Sequence, residues 1–208
     1  MPDPSSLPVL HAVRLLGFAD RGAIADRAHI TIDVTARILH DAEQRGWVQQ
    51  AAFAELEGWS LTEAGREENE RQLADERQSA GDRGAIEAVY REFLPLNSRL
   101  LRACTDWQLK PAAGGRLTDN DHSDPVWDAR ILNELADLSG ALVPLVHRLA
   151  EALPRFEGYD ARFASALRRA QAGEHGWVDR TNIDSCHRVW FQLHEDLLAT
   201  LGIDRGEV

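Results

Sequence analysis

"GWSLTEAGREENERQL", residues 58–73, decides how the first half of this chain is read. A strand-like Trp59-Ser60-Leu61 runs into Thr62-Glu63-Ala64-Gly65-Arg66 and then into a helix rich in Glu and Arg. Just upstream, "WVQQAAF" (47–53) and "EGWSLT" (57–62) read as two short strands around a loop. Three helical stretches precede them. "LPVLHAVRLLGFA" (7–19) sets Val9, Leu10, Val13, Leu15 and Leu16 at helical spacing. "RGAIADRAHI" (21–30) gives a short helix with Ile24 and Ala28 one turn apart. "TIDVTARILHDAEQRGWV" (31–48) opens on Thr31, a favoured N-cap, and closes at Gly46, a favoured C′ residue, with Val34, Ile38, Leu39 and Ala42 facing inward and Arg37 outward.

The remaining chain reads as helices around a second core. A charged helix over 66–84 runs into a break at "QSAGDRG" (78–84). An amphipathic helix over about 84–106 follows, with Ile86, Val89, Tyr90, Phe93, Leu96, Leu100 and Cys104 spaced for burial and Pro95 expected to kink it. After the loop "KPAAGGRLTDNDH" (110–122), Ser123 or Asp124 caps a helix with Pro125 in its first turn. Pro144 is expected to bend that helix and Pro154 to stop it. Shorter helices are expected over about 160–172 and 184–201. The expected class is mainly α, with domains at 1–78 and 79–208, the second a helical bundle.

Bulk properties narrow the function. The net charge is −11, and residues 1–78 alone hold eight Arg against fourteen Asp and Glu. That balance opposes non-specific attraction to phosphate, which comes from local positive charge. Lys110 is the single lysine among 23 basic residues, a usage typical of GC-rich genomes, so arginine abundance does not point to nucleic acid. No apolar run approaches the roughly 20 residues of a membrane helix, so no membrane partner is expected. "MPDPSSLPVL" lacks a secretory signal, and Cys104 and Cys186 form no CxxC pattern, so the expected setting is the cytoplasm.

Taken with "HITIDVTARILHDAEQRGWV" (29–48) and "GWSLTEAGRE" (58–67), residues 8–70 resemble the winged-helix transcriptional regulators of the MarR and PadR kind. The later stretches "TDWQL", "NDHSDPVWDARIL" and "SCHRVWFQLHEDLLATLGI" look like the second domain of winged-helix proteins from high-GC bacteria, usually called regulators. The resemblance implies an N-terminal winged helix-turn-helix with a small β wing, double-stranded DNA as partner, a homodimer and a small-molecule effector. It places the third helix in the major groove, where Arg37 would meet guanine and Thr31 or Thr35 would touch a phosphate or a base. Asp33 and His40 lie on the same outward face, and Arg21 and Arg27 are further phosphate contacts. In the wing, Phe53, Glu55 and Glu57 stand where such regulators often carry basic residues.

Three polar, aromatic clusters mark the second half. They are Thr105-Asp106-Trp107-Gln108, then Asn120-Asp121-His122 with Trp127 and Asp128 (Arg130 nearby is able to meet a ligand's polar end), and then Trp177-Val178-Asp179 followed by Asp184, Cys186, His187, Trp190, Phe191 and His194. The last four of these residues recur at i, i+3, i+4 and i+7, one helical face. Aromatic walls with convergent polar groups are what a small-ligand pocket needs, so the clusters are expected to meet in one cavity. The structural alternative is core packing with helix caps. A metal site is disfavoured, because His187 and His194 would be about 10 Å apart along a helix. No G-x-S-x-G elbow, phosphate-binding glycine loop or HExxH occurs, so neither a catalytic residue nor a cofactor is assigned. The leading expectation is a ligand-responsive DNA-binding regulator. Its rival is a module that has lost DNA binding and serves a metabolic or biosynthetic enzyme, a setting in which similar modules are found. A third class is an enzyme with His187 or His194 as general base beside Asp184.

Overall fold

A computed structural model describes residues 6–53, 56–80, 83–111 and 115–203. The chain is mainly helical and divides into two compact units, Met1–Gly81 with Leu198–Val208, and Asp82–Leu197. The last turn of the final helix thus groups with the first unit, whereas the sequence reading kept it within 79–208.

The first unit begins with α1 (Ser6–Leu16), α2 (Arg21–Ala28) and α3 (Ile32–Gln44). Asp20 caps α2 by accepting from the Ala23 N–H at 2.9 Å, and His29 ends it in the left-handed region at φ 54°. Thr31 has N-cap geometry at the start of α3 but makes no side-chain cap bond. Gly46, at φ 73°, supplies the left-handed residue that ends α3. Val9, Leu10, Val13, Ile24, Ile38, Leu39 and Ala42 form one core with Val48. Truncating Ile38 to alanine would cost about 2–5 kcal/mol, the usual loss for a buried aliphatic.

β1 (Val48–Phe53) and β2 (Leu56–Leu61) form an antiparallel hairpin from Val48↔Leu61 to Phe53↔Leu56. Ala19 exchanges two backbone bonds with Trp59 on the hairpin's other edge. α4 (Glu63–Ser79) follows, and its start explains the motif that opened the sequence reading. The Thr62 N–H donates to the Trp47 carbonyl at 3.0 Å, and the Thr62 hydroxyl donates to the Gly46 carbonyl. The same hydroxyl oxygen accepts from the Gly65 N–H at 3.0 Å, capping α4. A Cβ on residue 65 would lie 1.7 Å from the Trp47 carbonyl oxygen, so only glycine permits this approach. Near the far end of α4, the Arg77 guanidinium donates to the Leu201 carbonyl at 3.0 Å.

The second unit contains α5 (Arg83–Gln108), α6 (Pro125–Ala152) and α7 (Tyr159–Gln171), and most of α8 (Cys186–Leu201). Short 3-10 turns at Pro154–Phe156 and His175–Trp177 join the later helices. Asp124 caps α6 by accepting from the Val126 and Trp127 N–H groups, with Pro125 at the first position. Pro95 and Pro144 sit within continuous helices. Inward stripes from α5 (Ile86, Val89, Phe93, Leu100), α6 (Ile131, Leu135, Leu138, Leu142) and α7 (Phe163, Ala166) bury together. One element departs from the expected loop: β3 (Leu109–Pro111) pairs antiparallel with β4 (Leu117–Asp119). Among the described residues, no helix is long and apolar enough to cross a membrane.

Candidate functional site

In the first unit the residues expected to face DNA divide into two groups. Arg37 is exposed on α3, with no hydrogen bond or ion pair among the described residues, and Arg21 is exposed at the start of α2. Thr31 and Asp33 are also exposed. His40 is exposed but bonded to Gln44 at 3.0 Å. Thr35 is a correction. It is fully buried, and its hydroxyl has no partner among the described residues, so it cannot reach a groove from this face. Arg27 is half-buried. The surroundings are acidic: Asp33, Asp41 and Glu43 are exposed on α3, while Arg45 lies 4.9 Å over the Trp47 ring. In the hairpin, Glu57 accepts from Gln50, whereas Glu55 and the Phe53 side chain lie outside the described residues.

In the second unit the first two clusters meet at the C-terminal end of α5. A helix end leaves backbone carbonyls without helical partners. Here the Trp127 indole N–H donates to the Asp106 carbonyl at 2.8 Å. The Asn120 side-chain amide donates to the Trp107 carbonyl at 3.0 Å, and its backbone N–H donates to the Gln108 carbonyl at 2.7 Å. The Asn120 amide also donates to Asp128 at 2.9 Å. His122, in the left-handed region at φ 56°, places Nδ1 3.0 Å from the second Asp128 oxygen. Its ring lies 4.5 Å from Trp107 and 4.4 Å from His175, centroid to centroid. His122 is thus oriented by a carboxylate, with Nε2 directed away from that bond. Asp121 accepts from Lys110 and Ser123, which hold its carboxyl well below the usual carboxylate range.

The third cluster touches this group at its edge, where the Gln108 side-chain amide donates to Asp179 at 2.8 Å and His175 meets Trp107 edge-on. Asp184 takes two bonds from Arg162, which also donates to Gln192, so the expected general-base partner is already held in an ion pair. Trp177 lies under the Arg169 guanidinium at 3.9 Å. Trp190 is buried, stacked on Phe93 at 4.9 Å, and donates to Asn97 at 3.1 Å. His194 packs against Phe93 and Tyr90. His187 has Phe191 as its ring neighbour at 6.5 Å, and Phe191 is exposed. The shared helical face therefore runs from solvent into the core. Among the described residues, no three His, Cys, Asp or Glu side chains group as a metal site requires.

Several organising residues escaped the sequence reading. His175 lies two residues before the third cluster and was not singled out with it. The buried Asp196, two residues past His194 on α8, accepts from the Tyr159 hydroxyl at 2.9 Å and from Arg155. The third omission is a cleft of about 310 Å³ between α5 and α6. Arg99, Arg102 and Asp106 line it from α5, and Arg130, Ile131 and Glu134 from α6. The spacing 99, 102, 106 is a helical face and was legible, but nothing local paired it with α6.

Comparison of the chain with known protein families, with curated proteins and with solved structures finds no match.

Proposed function

We propose that the first unit is a winged helix-turn-helix and that the chain is a cytoplasmic, homodimeric DNA-binding regulator whose helical second unit binds a small molecule. The order α1-α2-α3-β1-β2-α4 supports the fold reading, with a turn of three residues between α2 and α3. The observation that carries the functional reading is Arg37, exposed on α3 and without a partner among the described residues, because a guanidinium so placed on a reading helix can meet guanine bidentately. Two copies in a dimer would present two such helices to successive half-sites. Ligand binding would then shift their relative placement and so operator affinity.

A second reading rests on the acidity of the same face. With Asp33, Asp41 and Glu43 exposed beside Arg37, α3 suits a basic partner protein better than a polyanion. One experiment separates the two. Fluorescence anisotropy with the DNA upstream of the gene, at low salt, should give specific binding with a shallow salt slope, since few phosphates are neutralised. Arg37→Ala should weaken it by about 1–3 kcal/mol. Thr35→Val, which keeps the buried shape, should leave it unchanged. Absence of specific binding at low salt would reject the regulator and favour the partner module.

A further inference from the structure

We propose that the cleft between α5 and α6 is a binding site for a compact anion, a carboxylate or a phosphate. The inference rests on the small-molecule half of the proposed function, and it names the place and the chemistry of that ligand.

The argument begins with how this chain spends its guanidinium groups. Each arginine carries five N–H donors in a planar fork that matches a carboxylate or phosphate edge. Four of them are engaged two-toothed, Arg148 on Glu92, Arg169 on Glu174, Arg71 on Glu68 and Arg162 on Asp184, while others such as Arg77 give a single bond. The cleft arginines differ from those four. Arg99 gives one bond, from Nε to Glu134 at 2.7 Å. Arg130 gives one bond, from Nη2 to Asp106 at 2.9 Å. Arg102 gives none among the described residues. Most of the donors gathered in this cleft are therefore unspent.

The local charge agrees. Three guanidinium groups and two carboxylates line the cleft, an excess positive charge within its lining that Asp137 offsets in part beside Arg99, in a chain whose net charge is −11. The Glu134 carboxyl already responds to it, held below its usual range chiefly by the Arg99 hydrogen bond, with burial opposing next and the charges of Arg99, Arg102 and Arg130 adding to the lowering. Arg130 is also held from two sides, stacked 4.2 Å over Trp127 and bonded to Asp106, so little freedom remains to be lost on binding. Buried Ile131 gives the cleft an apolar element. Its volume of about 310 Å³ is at the small end of ligand sites, which favours a ligand of a few heavy atoms beyond its anionic group.

The test is isothermal titration calorimetry on the full chain without DNA, in low-chloride buffer, with inorganic phosphate, succinate and acetate in separate arms. Saturable one-site binding of phosphate or succinate is expected, and the arm that binds distinguishes a phosphate ligand from a carboxylate one. Arg102→Ala removes no hydrogen bond among the described residues and should weaken binding about tenfold or more, the worth of a charge-assisted bond. Arg102→Lys should restore only part of it, because a point charge replaces a fork. Arg168→Ala, an exposed site on α7, is the control and should change nothing. No saturable heat in any arm, or binding indifferent to Arg102→Ala, would overturn the proposal. Because DNA is absent, failure of operator binding and failure of this site are read separately.

Discussion

A methyl group on residue 65 would stand 1.7 Å from a backbone oxygen, and that oxygen is itself bonded to the Thr62 N–H. Neither partner can retreat without breaking the α4 cap, so one absent side chain fixes how hairpin and helix meet. The two cysteines show burial acting on chemistry. Cys104 and Cys186 are free and buried, and burial pushes both thiols up to about 12, with Asp179 adding to the first and Cys104 to the second. An unfolded thiol ionises near about 8.5. Between those values the native chain holds protons that the unfolded chain has released. The stabilisation is thus complete below the unfolded value and is lost as pH rises toward the folded one. Each thiol should contribute a slope approaching about 1.4 kcal/mol per pH unit within that window. Denaturant titrations between about pH 7 and about pH 10 should show stability falling faster in the native chain than in a Cys104→Ala/Cys186→Ala variant. Equal slopes would mean that the thiols are not protected.

Among the elements, α5 depends on partners that follow it in the chain. Its last carbonyls are met by Asn120 and Trp127, so Asn120→Ala strips the partner from one buried carbonyl and one from Asp128. The expected loss is about 1–3 kcal/mol. Hydrogen exchange should quicken at the α5 terminus and in β3–β4. Unchanged protection there would show that the cap is dispensable. Such caps were not legible beforehand. "NDHSDPVW" announced polar and aromatic chemistry, but only tertiary placement shows it spent on a helix end. What local rules govern was legible, as in Gly46 ending α3 and Pro125 opening α6 after a cap at Ser123 or Asp124, but the helix expected over 66–84 begins at Glu63, on a Thr62 cap that was not read. Thr35 misled for a physical reason. Counting back from Ile38, Leu39 and Ala42 puts residue 35 on the inner stripe, yet a hydroxyl there reads as surface, while Val34 is only half-buried. The β3–β4 pair was missed because strands of three residues, one ending in proline, carry almost no alternation.

For the molecule as a whole, the main fact invisible in the sequence is that Leu198 onward groups with the first unit. No periodicity encodes that return. One of its contacts is the bond from Arg77 to the Leu201 carbonyl, which is partly buried. Arg77→Ala should lower the unfolding free energy by about 1.5–3 kcal/mol, the range for a hydrogen bond to a charged group. An unchanged denaturation midpoint would show that the return adds nothing at that point. The same bond bears on the order of events at the ribosome. A polypeptide elongates at about 5–20 residues per second, so α4 emerges roughly ten seconds before Leu201 is even polymerised. Until then the Arg77 guanidinium has only water to bind, and the first half of the nascent chain waits for its last contact on translation of everything in between.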